Sequence, residues 1–178
     1  MAIQMIFCVE TTKKADTDSI YIMEAIKHLY EITNQIKISK VYMGTKTKYK
    51  SKEILKEIDE KIKAFTIGET KVIYCIDTDQ YEKNMKHENE FNDITQFCKD
   101  RGYDLIWFCH DIEEVFLGKK ISDSQKVQEA AAFRRKRIIE QIALEKLSCK
   151  VKMANSTNLL DVLDQYLSRK EQKPTPKK

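Results

Sequence analysis

The chain has 178 residues, 42% of them hydrophobic and 34% charged, and a formal net charge of +4. That is the length of one domain with one sizeable core, and a basic excess too small to demand a polyanionic partner. With 4 Gly and 2 Pro it has too few turn residues for a β-sandwich, so long helices with short connections are expected. No apolar run nears the ~18 residues of a membrane span, and no basic segment leading into an apolar one suggests a signal peptide. Five cysteines, Cys8, Cys75, Cys98, Cys109 and Cys149, show no CxxC spacing, and four sit in or beside apolar runs. They read as reduced, buried thiols in a cytoplasmic protein without a membrane partner.

In chain order, Ile3 to Val9 is a short apolar run suited to an inner strand, and it ends at Glu10. A polar stretch follows, in which Asp16, Asp18 or Ser19 can cap a helix running to about Thr33. Ile36 to Met43 alternates like a second strand, and Gly44 to Ser51 is a loop carrying Lys46, Lys48 and Lys50, with Lys52 just beyond it. Ile54, Leu55, Ile58, Ile62 and Phe65 mark an amphipathic helix. Lys71 to Ile76 is a third strand that stops at Asp77. Asp79 to Asn89 is polar, with no element of its own. Phe91, Ile94, Phe97 and Cys98 form a helical face closed by Gly102, and Tyr103 to Cys109 is a fourth strand ending at His110-Asp111. A short helix or turn then reaches Gly118. A longer helix is expected over Ser124–Leu147, a last short strand over Cys149–Met153, and a final helix over Asn158–Leu167 capped by Ser156 or Thr157. The division expected is an α/β core over 1–118, a helical extension over 119–168 and a disordered basic tail over 169–178.

Strands alternating with helices imply right-handed βαβ units and a parallel sheet, with ligands gathered beyond the carboxyl ends of the strands. Three strands end in acid: at Glu10, at Asp77 with Asp79, and at Asp111 with Glu113 and Glu114. Carboxylates converging at one edge repel each other, and a divalent cation relieves that repulsion. Mg²⁺ prefers such oxygen ligands, activates water and stabilises charge building on a phosphoryl group. Asp77-Thr78-Asp79 suits one ion, and Glu10 can serve as ligand or general base. The plainer reading is that acids past strands cap the helices that follow.

The strand-end glutamate in FCVETT (Glu10) and the DxD in YCIDTDQ (Asp77, Asp79) together resemble the Toprim domain of topoisomerases, primases and OLD-type nucleases. DLIWFCHDIEEVFLG resembles the fourth-strand region of the small RloB-like Toprim proteins, where Glu113 or Glu114 would be the further acid. The resemblance covers about residues 3–118. It departs where Thr11 follows Glu10 and where Gln80 and Tyr81 follow the DxD, positions at which the family usually carries glycine or a small residue. It implies a Toprim-like, Rossmann-like three-layer domain with a four-stranded, mainly parallel sheet and extra C-terminal helices. It also implies Mg²⁺- or Mn²⁺-dependent cleavage of DNA or RNA in bacterial or phage-related defence, often beside an ATPase partner. Glu10, Asp77 and Asp79 would be catalytic and, with Glu113, metal-binding.

Lys46, Lys48, His110 and Lys120 are the candidates for contacting the nucleic-acid substrate, against the alternative of solvated loop residues. Arg134–Arg137 falls within an expected helix, so its charges spread around that helix. Two other functions compete with the nuclease. One is a non-catalytic Toprim-like module that binds an ATPase or nucleic acid, with self-association into a homo-oligomer also open. The other is a phosphotransfer or phosphatase domain using Asp77 as nucleophile, which lacks the expected acidic pair and lysine.

Overall fold

The computed structural model describes residues 2–171, so residues 172–178 of the expected tail lie outside the described residues. Eleven elements carry the fold. They are β1 (Ala2–Val9), α1 (Thr17–Leu29), β2 (Ile36–Tyr42), α2 (Lys52–Lys63), β3 (Gly68–Asp77), α3 (Met85–Arg101), β4 (Asp104–Cys109), α4 (Ile112–Leu117), α5 (Asp123–Arg135), β5 (Ser156–Thr157) and α6 (Leu159–Leu163). The strands form one mixed sheet in the order β2-β1-β3-β4-β5. The first four are parallel, and β5 pairs antiparallel with β4. The molecule is α/β, and its sheet has five strands where four were expected.

β1, β3 and β4 are inner strands, and β1 and β3 carry long buried runs on both faces, which is why each reads as a continuous apolar run and not as an alternation. Met5, Phe7 and Val9 point to the face covered by α1, α4, α5 and α6. Ile6 and Cys8 point to the face covered by α2 and α3. The β1–α1–β2 crossover and the β2–α2–β3 crossover run in opposite directions along the sheet, so right-handedness in each puts α1 and α2 on opposite faces, a layer of helices on either side. All five cysteines are buried and unpaired. Gly102 and Gly118 close α3 and α4 in the left-handed conformation (φ 65° and 70°), as a C-terminal glycine allows.

The C-terminal third departs from expectation. The helix expected over Ser124–Leu147 ends at Arg135, and Arg137 takes φ 52°. Two 3-10 turns follow, Ile138–Gln141 and Leu144–Leu147. A straight helix of that span would be about 36 Å long. It would carry Ile139 and Leu147 past the core that both of them enter, the turn of Ile139 beside α1 and that of Leu147 beside β5. Cys149–Met153 is irregular, with Val151 and Met153 exposed, and the last strand lies at Ser156–Thr157. The Asn158 side chain extends that pairing, accepting from Trp107 N at 2.9 Å and donating to Leu105 O at 2.9 Å. The Thr157 hydroxyl takes the N–H of Leu159 at the start of α6, which is shorter than the expected helix over Asn158–Leu167. Arg169 and Lys170, assigned from sequence to the tail, are tied down. Arg169 pairs with Asp164, and Lys170 N donates to Leu29 O at 2.8 Å. Among the described residues, no helix is long and apolar enough to cross a membrane.

Candidate functional site

The strand order reverses between β1 and β3, and open α/β sheets leave a crevice beyond the strand ends at such a point. The register pairs Cys8 with Tyr74, so the residue after β1 falls beside the end of β3. Glu10 accordingly reaches sideways, and its Oε1 accepts a hydrogen bond from Asp77 N at 2.7 Å. Asp77 is anchored in turn, with Oδ1 accepting from Ile112 N at 3.0 Å as α4 begins. Among the described residues, Glu10 Oε2 and Asp77 Oδ2 receive no hydrogen bond. Both side chains line a cleft of about 320 Å³ shared with Thr11, Asp18, Asp123 and Lys126.

Asp79 follows at φ 50°, a left-handed position that aspartate tolerates better than most residues. Its N–H donates to His110 O at 2.8 Å, which ties the β3 exit to the β4 exit. Its carboxylate pairs with Lys46. Lys46 lies in a 3-10 turn after β2, 6% exposed, with Nζ also donating to Asp77 O at 3.0 Å and 3.8 Å from Glu90. Lys46 is therefore folded into the acidic cluster and is not a solvated loop lysine. Lys48 and Lys120 are exposed, free of that constraint.

Glu113 sits deeper and has no exposed surface. Lys126 Nζ approaches its Oε2 to 3.2 Å, yet neither Glu113 oxygen receives a well-aligned hydrogen bond. Asp18, which sequence reading offered as a helix cap, is buried in the first turn of α1 and feels both Glu113 and Lys126. Asp16 holds Lys40 and Tyr42 at 2.7 and 2.9 Å and makes no capping bond to α1. Asp111 does cap α4, accepting from Glu114 N at 2.8 Å. Acid-as-cap is thus the right account of Asp111 alone among these.

This crowding moves proton affinities upward. Glu10 keeps a strip of exposed surface, but protein surrounds it closely. Burial lifts its carboxyl from 4.5 to about 8, against the pull of Lys46 and of Asp77 N–H, with Asp18 and Asp79 adding to the rise. Asp18 rises from 3.8 to about 7, through burial first and the charge of Glu113 second, with Lys126 opposing. Burial, with Glu10 and Asp18 behind it, holds Asp77 well above the ordinary carboxylate range. Two ammonium groups are too few for these carboxylates, and an oxygen-only set with spare lone pairs fits a hard divalent cation.

His110 faces elsewhere. Its Nε2 is 3.1 Å from Glu82 and its Nδ1 3.3 Å from Glu114. Burial opposes its charged form, but those two carboxylates outweigh burial and raise its pKa. The structure thus brings together Glu10, Asp77, Asp79 and Lys46, sets Glu113 behind them against Lys126, and leaves Lys48, Lys120 and His110 outside. Sequence reading took Asp18 as a helix cap lying near enough to Glu10 to bind a metal through water, and the structure turns it into the cluster. It missed Glu90 and Lys126, which arrive from helices whose sequences mark neither. Comparison with protein-family models, with curated proteins and with solved structures returns no match.

Proposed function

We propose that the chain is a Toprim-like, divalent-metal-dependent nuclease that cleaves phosphodiester bonds of DNA or RNA at the β1–β3 tip. The observation that carries this reading is the Glu10 Oε1–Asp77 N bond of 2.7 Å. With Asp77 Oδ1 also held by a backbone N–H, one oxygen of each acid is fixed and the other remains for an ion. Mg²⁺ or Mn²⁺ held by Glu10, Asp77 and Asp79 would supply a polarised phosphoryl oxygen and a water acidic enough to attack it. Lys46 keeps the DxD segment in place through Asp77 O, and its ammonium can transfer from Asp79 to an incoming phosphate. Glu113 stays paired with Lys126 and positions that lysine at the cleft wall; it is not given a ligand role.

One observation favours a second reading. Lys46 already neutralises Asp79, so the cluster can persist with an internal cation as a non-catalytic module for an ATPase or nucleic acid. Incubation of the purified chain with plasmid, linear DNA and RNA, with Mg²⁺, Mn²⁺ or chelator, separates the two. The nuclease requires metal-dependent cleavage that falls at least ~100-fold in both Glu10→Gln and Asp77→Asn. Absence of cleavage together with absence of Mn²⁺ binding by calorimetry selects the module.

A further inference from the structure

A second group of ligands lies beside the β4 tip, and it differs in kind from the carboxylates of the cleft. The Cys109 thiol, a ring nitrogen of His110 and a Glu82 carboxylate oxygen all lie within 4.8 Å of one another. Cys109 ends β4 and is fully buried, His110 is half-buried, and Glu82, in the loop after β3, is exposed. We propose that these three side chains form a site for a borderline divalent metal of the Zn²⁺ type, distinct from the oxygen-ligated cation of the cleft.

Three features point to this class of ion. The donor set is one sulfur, one nitrogen and one oxygen, which suits Zn²⁺ and not Mg²⁺. Three protein ligands leave a fourth position for water, the arrangement of reactive zinc centres. The outer contacts that such a site needs are also present. Glu114 Oε2 lies 3.3 Å from His110 Nδ1, which fixes the tautomer that offers Nε2 outward. Burial raises the Cys109 thiol's pKa, and neighbouring Thr78 and Lys152 oppose that rise.

Ligand atoms around a tetrahedral zinc stand about 3.3–3.8 Å apart. His110 Nε2 and Glu82 are already 3.1 Å apart. All three atoms already lie within 4.8 Å of one another, and Glu82 is the arm freest to adjust around an ion, being 44% exposed. The third partner is held by the sheet, because β4 is paired through Cys109 with Ser156 on β5.

Thr78 joins the two centres. Its neighbours are Asp77, which lines the acidic cleft, and Asp79, which pairs with Lys46, while its own N–H donates to Phe108 O on β4, next to Cys109, at 2.9 Å. Asp79 N also bonds His110 O, so the same tight crossing of β3 and β4 exits serves both sites. The inference does not depend on the nuclease reading, because its ligands are not those of the cleft.

Co²⁺ is the probe that separates them. The full chain, reduced and stripped with chelator, is titrated with Co²⁺ and then with Zn²⁺. The expected result is a near-ultraviolet thiolate-to-cobalt absorption with visible bands of a four-coordinate ion, both abolished by Zn²⁺. Cys109→Ser removes the thiolate absorption, and His110→Ala and Glu82→Ala weaken Co²⁺ binding by at least ~10-fold. Glu114→Gln weakens it by about 10-fold with the thiolate absorption retained, as expected of a positioning residue. Glu10→Gln leaves the absorption intact. Because Cys109 is buried and its serine variant can misfold, the His110 and Glu82 variants, on more exposed side chains, decide independently. A chain that gives no thiolate absorption, or one that keeps it in Cys109→Ser, overturns the assignment, whatever the nuclease assay shows.

Discussion

The two lysines that enter the acidic cluster do so on different terms. Lys46 arrives on a short turn and meets Asp79, whose side chain is 43% exposed. Its partners have other support: Glu10 holds Asp77 N, and water can reach Asp79. Lys126 arrives from α5 and meets Glu113, which has no exposed surface and, beyond that ion pair, no hydrogen-bond partner among the described residues. One ammonium is therefore a replaceable occupant of a partly wet site, and the other is the sole compensation for a buried charge. A buried ion pair adds little over an apolar pair, but removing one member leaves a costly orphan. The side of the cluster that can exchange its cation is thus the Lys46 side, and that side carries the metal ligands we propose.

The sharpest way to break this contrast is to delete each ammonium. Lys126→Met should destabilise the fold by about 3 kcal/mol at pH 8, read from the urea midpoint, because Glu113 is left buried and unpaired. The loss should shrink as pH falls, because burial already raises Glu113's proton affinity and removing Lys126 takes away a group that lowers it. Lys46→Met should cost only about 1 kcal/mol, since its partners keep hydrogen bonds or water. It should tighten Mn²⁺ binding by about tenfold, the factor that ~1.4 kcal/mol of removed competition gives. Equal destabilisation by the two variants would erase the distinction. Weaker Mn²⁺ binding in Lys46→Met would make Lys46 a partner of the metal site and not its competitor.

Titration sharpens the same point more gently. Glu10 goes from an ordinary 4.5 to about 8 and Asp18 from 3.8 to about 7 in the folded chain. Between roughly pH 4.5 and 8 the folded state therefore holds protons that the unfolded state has released. Stability must fall as pH rises through that window and level off above it. Scanning calorimetry without metal should show Tm declining from pH 5 to pH 8. Added Mg²⁺ should restore Tm most at the alkaline end, where the carboxylates are ionised and free to bind. A Tm that rises over this range would mean that these acids are already compensated within the chain.

The parallel core was legible because inner strands carry a signal that survives without tertiary context: short apolar runs ending in acid, separated by helical periodicity. That was enough to put Glu10 and Asp77 at one sheet edge. It could not tell which acids were helix caps, because a cap and a ligand have the same sequence. Asp111 caps α4, while Asp18 turns into the cluster and Asp16 leaves for Lys40 and Tyr42. The C-terminal third was misread for a different reason. Ile138 to Leu147 has helical periodicity, and nothing local records that Arg137 must turn left-handed to bring Ile139 and Leu147 back into the core. The β5 pairing was hidden because part of it is made by a side chain, the Asn158 amide, which no strand pattern can register. Cys109 and His110 were noted separately, and Glu82 lay in a segment read as structureless. Their meeting depends on the crossing of two strand exits, which spacing does not encode.

The smallest predicted effect tests where a substrate would lie. Lys48 and Lys120 are exposed and absent from the ion pairs of the cluster, so their replacement by alanine should change stability by no more than ~0.5 kcal/mol. Lys48 sits in the turn that delivers Lys46, and Lys120 lies on the side of Asp111, where its charge opposes the rise in proton affinity that burial gives that acid. The two therefore flank the acidic edge from opposite sides. A phosphate backbone crossing that edge would meet both. Each substitution should then lower the slope of log affinity against log salt by about one, uniformly across sequences. Fluorescence anisotropy with a labelled single strand at several salt concentrations reads this directly. A change in slope for Lys48→Ala alone would route the strand along the Lys46 side. No change for either would place the nucleic acid off this edge and weigh against cleavage there.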